Sequence, residues 1–166
     1  MPFFSKKSLG QHFLTSKQVV FDLLRAAQVS EEDVVLEVGP GRGFITEELV
    51  KAAKKVIAVE KDAEMVDFLK NKFSEEVRDE RLVIVCQDIL TFEPSRYKLE
   101  AGCWKLLGAI PYYITGKLFR VFLESAQQPK TIAFVIQKEV AERIVAKDGP
   151  PSHGASAGQG PPSHGA

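Results

Sequence analysis

Cysteine is scarce in this sequence, because only Cys86 and Cys103 occur among its 166 residues. Two cysteines without metal-type spacing do not indicate a metal site, and they are too few for a disulfide-stabilised small domain. We therefore expect no metal cofactor, structural roles for both cysteines and a reducing, cytoplasmic environment.

Long apolar runs are absent as well. No stretch approaches the roughly 20 consecutive apolar residues that cross a bilayer. The amino-terminal segment MPFFSKKSLGQHFL lacks the apolar core of a signal peptide. These two absences predict a cytoplasmic protein with no membrane partner.

The chain has no excess of charge of either sign, since 22 basic residues balance 22 acidic ones. Net charge therefore gives no support for a nucleic-acid partner, and only a local basic patch could provide that support. The composition, 45% hydrophobic and 27% charged, is typical of one soluble globular domain of this length.

Short apolar runs alternate with stretches of helical period along most of the chain. The predicted strands are DVVLEVG, KVIAVE, RLVIVCQD, KLLGAI and TIAFVIQ, and the predicted helices are residues 17–29, with Ser16 as N-cap, GFITEELVKAA, AEMVDFLKNKF, GKLFRVFLESA and QKEVAERIVAK. Alternation of this kind predicts an α/β fold, a mostly parallel sheet with helices on both faces.

The carboxyl-terminal residues differ in composition from the rest. Residues 149–166 contain Gly-Pro-Pro-Ser-His-Gly-Ala twice and have nothing to bury. The repeat holds His153 and His164, so metal binding is one interpretation, but a solvated linker or engineered remnant is favoured. We therefore predict a domain over residues 1–148 and a low-complexity, disordered tail over 149–166.

A glycine loop follows the first predicted strand. The segment EVGPGRG opens the next helix, and Glu60 ends the second strand about 20 residues later, where a carboxylate can accept both hydroxyls of a ribose. The spacing of Gly39, Gly41 and Gly43 departs from the dinucleotide pattern Gly-x-Gly-x-x-Gly. The pattern therefore favours an adenosine cofactor without phosphates over a nicotinamide-dependent oxidoreductase.

A second carboxylate, Asp88, is predicted at the end of the third strand. Ligands of open α/β sheets bind at the carboxyl ends of the strands, where Asp88 could accept a hydrogen bond from an adenine amine. The alternative is that Asp88 is a helix N-cap or turn residue.

Six segments, in order, resemble the ribosomal RNA adenine dimethyltransferases: KKSLGQHFL, EVGPGRG, Glu60, QDIL, IPYYITG and QKEVAERI. The resemblance covers about residues 3–147 and implies a Rossmann-like, S-adenosylmethionine-dependent methyltransferase fold. It also implies N6-dimethylation of two adjacent adenosines in small-subunit ribosomal RNA, as part of rRNA processing. The antibiotic-resistance methyltransferases of large-subunit RNA share this plan, but Gly-Pro-Gly in the loop favours the small-subunit branch.

The resemblance also implies the positions of the site. It assigns S-adenosylmethionine binding to residues on five segments, with ribosomal RNA or the immature small subunit as partner. These residues are His12, Leu14, Gly39, Glu60, Asp88 and the position of Ala109. The amino-terminal segment would lie over the methionine end of the cofactor.

The catalytic motif of the family is Asn-(Ile or Leu)-Pro-Tyr, and here Ala109 replaces the asparagine ahead of Pro111 and Tyr112. Alanine cannot accept a hydrogen from adenine N6, whereas Tyr112 can still stack on a flipped base. We therefore expect impaired activity. One alternative is a catalytically silent cofactor- or RNA-binding module, or an engineered fragment of such an enzyme. Another is that Ala109 only fills the end of a strand and that Tyr112 and Tyr113 are aromatic residues of the core.

The family pattern continues past QKEVAERIVAK with further strands and a small helical domain, which this sequence replaces with the repeat tail. We therefore expect a sheet that is incomplete at its carboxyl-terminal side. An exposed edge on the fifth strand would permit self-association.

Overall fold

The computed structural model describes residues 16–146. Five parallel strands form one sheet in the order β3-β2-β1-β4-β5. The strands are β1 (Val34–Val38), β2 (Lys55–Glu60), β3 (Leu82–Cys86), β4 (Trp104–Ala109) and β5 (Thr131–Val135). The predicted parallel sheet is confirmed, and the ends of the predicted strands differ from those of the observed strands by at most two residues.

Six α-helices accompany the strands in the described part of the chain. They are α1 (Lys17–Ala26), α2 (Phe44–Ala52), α3 (Ala63–Lys72), α4 (Ser74–Arg78), α5 (Tyr112–Leu123) and α6 (Lys138–Val145). The short α4 and two 3-10 helices, Ile89–Thr91 and Pro94–Tyr97, were not expected from the sequence. Ser16 is the N-cap of α1 as predicted, but its side chain makes no capping hydrogen bond.

The sheet has a separate hydrophobic cluster on each face. One cluster joins β-strand residues such as Val35 and Leu107 to buried residues of α1, α2 and α3. The other joins Leu36 and Leu106 to Phe122 of α5 and to the segments around the 3-10 helices. Both faces are therefore covered, as alternation of strands and helices predicts.

The predicted helix at 116–126 begins too late, because α5 starts at Tyr112 and ends at Leu123. The first turn was missed because helix propensity is low at Ile114, Thr115 and Gly116. Pro111 is the N-cap, and the Thr115 hydroxyl donates to the Pro111 carbonyl at 3.1 Å. The two tyrosines of the motif therefore lie on a helix rather than in a loop.

A buried ion pair joins the amino ends of β1 and β4. Lys105 Nζ lies 2.8 Å from Asp33 Oδ2 and 2.6 Å from the Gln28 carbonyl. Lys105, with Ser30, lowers the pKa of the Asp33 carboxyl against the opposing effect of its burial. This pair lies at the opposite end of the sheet from the glycine loop, so its role is structural.

The outer side of the sheet at β5 is open in the described residues. β5 pairs only with β4 there, its five residues are all half-buried, and α6 buries none of its residues. In residues 16–146 no helix is both long and apolar enough to cross a membrane. The repeat tail at 149–166 lies outside the described residues, as do the predicted domain boundary and the amino-terminal motif.

Candidate functional site

The strand order places a topological switch between β1 and β4. From β1 the chain proceeds outward to β2 and β3, whereas β4 lies on the other side of β1. Crevices that bind ligands in open α/β sheets form at the carboxyl ends of strands beside such a switch. The loops that follow β1, β2, β3 and β4 therefore border one candidate site.

The glycine loop after β1 has the backbone conformation that its sequence predicts. Gly39, Gly41 and Gly43 have φ values of 61°, 55° and 76°, a region that glycine adopts without a steric penalty. A Cβ atom on Gly39 would meet nothing within 4 Å, whereas one on Gly43 would lie 2.5 Å from the ring of Phe73. Gly39 is thus open to an approaching ligand, and Gly43 serves the packing of α2 on α3.

Glu60, the last residue of β2, is held firmly by backbone groups. Its Oε1 accepts from the N–H groups of Lys61 at 2.8 Å and Asp62 at 3.0 Å, and its Oε2 accepts from Gly41 at 3.1 Å. A carboxylate has about four acceptor positions, so capacity for a further donor remains. The Gly41 contact connects this carboxylate directly to the glycine loop.

Glu37 is a second carboxylate near the loop, and sequence reasoning did not single it out. Its side chain is fully buried, Oε2 accepts from the Thr46 hydroxyl at 2.7 Å, and Oε1 has no partner. Burial raises the pKa of Glu37 to about 8, with the nearby Glu60 charge adding to the effect and Thr46 opposing it. The sequence did contain a signal for this burial, because the glutamate lies inside the apolar run VVLEVG. Strands of a parallel sheet are buried on both faces, so a glutamate within such a strand is expected to be buried.

Asp88 lies two residues past the end of β3 and performs the capping role that was the alternative interpretation. Its Oδ1 accepts from the Leu90 N–H at 3.0 Å, which caps the first 3-10 helix. Its Oδ2 lies 2.8 Å from Lys61 Nζ. The Lys61 hydrogen bond and then the Leu90 N–H lower the pKa of the Asp88 carboxyl. Asp88 is thus an oriented anion at the carboxyl edge, which also suits the ligand interpretation.

Ala109 is the last residue of β4 and is half-buried. It pairs with Val135 of β5 and packs against the cluster that contains Leu107. Because side chains alternate along a strand, Ala109 shares its face of the sheet with Leu107, which lies beside Glu37. The methyl group of Ala109 therefore stands on the face of the sheet that carries α2 and the glycine loop, and it offers no polar atom.

Tyr112 and Tyr113 project from the first turn of α5 and are exposed. Their exposed fractions are 63% and 50%, and their rings meet edge to face with centroids 5.8 Å apart. The alternative that these tyrosines are core aromatics is therefore wrong. Exposed aromatic rings at the mouth of a crevice are suited to stacking on a base.

The described structure brings most of the predicted site residues to one edge of the sheet. Gly39 follows β1, Glu60 ends β2 and Asp88 follows β3. Ala109 ends β4, and Tyr112 begins α5. His12 and Leu14 lie outside the described residues. Within residues 16–146 no group of three or more His, Cys, Asp or Glu side chains is placed to hold a metal ion.

Comparison with known proteins shows that the sequence matches a family over most of its length. Residues 3–156 match the family described as ribosomal RNA adenine dimethylase. A ribosomal RNA small subunit methyltransferase A from Dehalococcoides mccartyi is 43% identical over 145 residues, which are 87% of this chain and 49% of that protein. The enzyme of the same name from Ligilactobacillus salivarius is 41% identical over 160 residues, covering 90% of this chain and 51% of the relative.

Solved structures of two transferases are also similar to this chain. The crystal structure of the 23S rRNA methyltransferase ErmE has a TM-score of 0.69 and 32% identity, and the match covers 80% of this chain and 50% of that one. A dimethyladenosine transferase from Plasmodium falciparum has a TM-score of 0.68 and 26% identity, over 81% of this chain and 46% of the other. The chain thus spans about half the length of the curated relatives that it matches.

Proposed function

Because the chain belongs to the ribosomal RNA adenine dimethylase family, we propose that it carries the cofactor-binding and base-binding part of an S-adenosylmethionine-dependent N6-dimethyltransferase. Its substrate would be two adjacent adenosines of small-subunit ribosomal RNA. The observation that supports this most is the convergence of the open Gly39 turn with the Glu60 and Asp88 carboxylates at the switch point of the sheet. Those three features suit an adenosine better than a phosphate-bearing ligand.

The residues present fit S-adenosylmethionine. Gly39 leaves space for close approach of a ligand to the backbone, and Glu60 retains acceptor capacity for ribose hydroxyls. Asp88 supplies an acceptor for the adenine amine, and His12, Leu14 and the backbone at Ala109 would complete the site. When bound, the cofactor supplies a methyl group activated by a sulfonium. Glu60 and Asp88 would bind the adenosine of the cofactor and fix its orientation at the carboxyl edge of the sheet.

The base would lie on the other side, against Tyr112. Stacking on an exposed tyrosine is worth roughly 1–3 kcal/mol per base and would hold a flipped adenine in place. Adenine N6 is a weak nucleophile because its lone pair is delocalised, so the site must accept its hydrogens. The Pro111 carbonyl already accepts from Thr115, and Ala109 adds no acceptor. We therefore propose that this chain transfers methyl groups slowly.

A second function, a catalytically silent module that binds the cofactor or RNA, is favoured by one observation. The family asparagine is replaced by Ala109, while the carboxylates of the cofactor residues are held by two or three hydrogen bonds each. Such a site would bind S-adenosylmethionine or an adenine of RNA without transferring a methyl group.

We further propose a domain organisation, a cellular location and a mode of self-association for this protein. Residues 1–148 would form the methyltransferase domain and 149–166 a solvated tail, in a cytoplasmic protein that acts on the immature small ribosomal subunit. The half-buried β5, which pairs only with β4 in the described residues, would allow self-association by pairing of edges.

The decisive experiment incubates the chain with radiolabelled S-adenosylmethionine and immature small ribosomal subunits, beside calorimetry with S-adenosylhomocysteine. Slow label transfer to adenine N6 together with binding supports the impaired enzyme. Binding without any transfer supports the silent module. Absence of both binding and transfer would overturn the two functions together.

A further inference from the structure

Lys61 connects the two carboxylates of the site. Its backbone N–H donates to Glu60 Oε1 at 2.8 Å, and its ammonium lies 2.8 Å from Asp88 Oδ2. One residue therefore links the proposed ribose acceptor on β2 to the proposed adenine acceptor beyond β3.

In the described structure both oxygens of Asp88 already have partners. Oδ1 accepts from the Leu90 N–H, and Oδ2 accepts from Lys61. The Leu90 contact belongs to the helix cap and is fixed by the backbone. The Lys61 contact comes from a flexible side chain that is 70% exposed. The carboxylate keeps further acceptor positions, so an incoming donor to Asp88 either shares the carboxylate with Lys61 or displaces Lys61, while the cap stays in place.

We infer that Lys61 determines how strongly the site prefers a 6-amino purine, because its ammonium lies on the Asp88 carboxylate to which the exocyclic amine of an adenosyl ligand would donate. This inference rests on the proposed function, in which Asp88 faces the adenine amine. A 6-amino purine must share Asp88 with the Lys61 ammonium, which partly neutralises the carboxylate, or displace that ammonium from it. A 6-oxo purine instead presents an acceptor to which the Lys61 ammonium can donate.

The charges around Lys61 agree with this role. The Asp88 hydrogen bond raises the pKa of the Lys61 ammonium, and Tyr113 of α5 adds a smaller electrostatic contribution in the same direction. Lys61 is therefore a stable cation at the boundary between the carboxylates and the exposed tyrosines. An exposed ion pair of this kind changes an equilibrium constant by roughly two- to fivefold.

The test measures the dissociation constants of S-adenosylhomocysteine and S-inosylhomocysteine by calorimetry for the unaltered chain and for Lys61→Met. Methionine keeps an unbranched apolar stem and removes the ammonium. We expect the adenosyl ligand to bind roughly two- to fivefold more tightly to Lys61→Met and the inosyl ligand to bind more weakly. The preference for the amine should therefore rise by more than the roughly two- to fivefold tightening of the adenosyl ligand alone.

Two further variants act as controls. Lys61→Arg keeps a cation beside Asp88 and should keep the preference of the unaltered chain. Lys51→Met removes an exposed lysine that pairs with Glu48 on α2, and should change neither dissociation constant. The difference between Lys61→Met and the unaltered chain should shrink in high salt, since salt screens an exposed pair.

A measurement without ligand separates this inference from the proposed function. NMR titration of the Asp88 carboxyl in the ligand-free protein should give a higher pKa in Lys61→Met than in the unaltered chain, because the ion pair is lost. An unchanged Asp88 titration, or an unchanged preference in a chain that does bind S-adenosylhomocysteine, overturns the role of Lys61 alone. Failure of every variant to bind either ligand overturns both this role and the proposed cofactor site.

Discussion

On one side of the carboxyl edge, the carboxylates of Glu60 and Asp88 each accept two or three hydrogen bonds in fixed directions. On the other side, at the end of β4, the corresponding groups are the apolar Ala109 and the exposed ring of Tyr112. We call the first the cofactor side and the second the base side. A carboxylate anchored by backbone N–H groups is oriented before its ligand arrives, whereas an exposed ring can adapt to a base.

The difference teaches that binding and transfer can be separated in this chain. The cofactor side depends on strand ends and on the loop that Gly41 and Glu60 join. In the proposed function, the base side depends on the single side-chain position of Ala109 for its polar contact to adenine N6. Loss of that contact leaves the sheet and the cofactor side unchanged, because Ala109 still packs in the cluster beneath.

The largest expected change in free energy concerns the buried Glu37 below the cofactor side. The pKa of Glu37 is about 8 in the folded chain and 4.5 in the unfolded chain. Between pH 4.5 and pH 8 the unfolded state therefore binds fewer protons than the folded state. The free energy of unfolding should therefore fall, by on the order of 3 kcal/mol, as the pH rises from 5 to 8. In Glu37→Gln this component of the slope should vanish, as measured by urea unfolding at several pH values.

The control for that measurement is Glu75→Gln, which alters an exposed glutamate on α4 and leaves Glu37 intact. It should keep the slope of the unaltered chain. The lowered pKa values of Asp33 and Asp88 affect stability only at lower pH, outside this window. Equal slopes for the unaltered chain and Glu37→Gln would show that Glu37 is not a buried neutral acid.

The next effect is on the base side, where Ala109→Asn restores a side-chain acceptor. Preorganised polar contacts to a transition state are worth about a hundredfold or more in rate. We expect the single-turnover rate of methyl transfer to immature small subunits to rise by about that factor. A rate that stays the same in Ala109→Asn would mean that this position does not limit transfer.

Glu60→Ala should weaken the cofactor side. Removal of a charged acceptor from hydrogen bonds costs about 1.5–3 kcal/mol, so the dissociation constant of S-adenosylhomocysteine should increase by roughly thirtyfold. Calorimetry checks this, with Glu75→Ala as the matched substitution of an exposed glutamate. Thermal unfolding of each variant shows whether the chain still folds. A folded Glu60→Ala variant with unchanged affinity would remove Glu60 from the site.

The smallest of these effects concerns Tyr112. Replacement by leucine removes the stacking surface, and the dissociation constant of a short adenine-containing RNA should increase by roughly tenfold. Phe21→Leu provides a control, since Phe21 is an aromatic residue of α1 that is 49% exposed and far from the site in the chain. Equal losses in the two variants would indicate nonspecific contact of RNA with exposed rings.

Much of the fold could be predicted from the sequence because its strands are short apolar runs with clear boundaries. β2 was predicted with the bounds that it has, residues 55–60, since charged residues flank it on both sides. The start of α5 was missed because Ile114, Thr115 and Gly116 mask the helical pattern. In that case the burial of Thr115, Leu118 and Phe122 outweighs weak local propensity.

A residue of the candidate site could be placed from the sequence when the end of a single strand determines its position. A contact between residues at the ends of two different strands could not be predicted in this way. The positions of Glu60 and Gly39 at the carboxyl edge were predicted from a local pattern of strand, loop and helix, and their role in cofactor binding stays a prediction. The Lys61–Asp88 pair spans 27 positions of the sequence and depends on how β2 and β3 align, which no local pattern contains. Glu37 was overlooked for a different reason, because its motif was interpreted for its glycines alone.

The central claim is that the cofactor side is complete without the family asparagine of the base side. The most direct test is calorimetric titration of S-adenosylhomocysteine into the unaltered chain and into Ala109→Asn under the same conditions. The account predicts one bound ligand per chain in both proteins, with dissociation constants within about twofold of each other, because the side chain at this position acts mainly on the transition state. Binding that appears only in Ala109→Asn, or in neither protein, would contradict it.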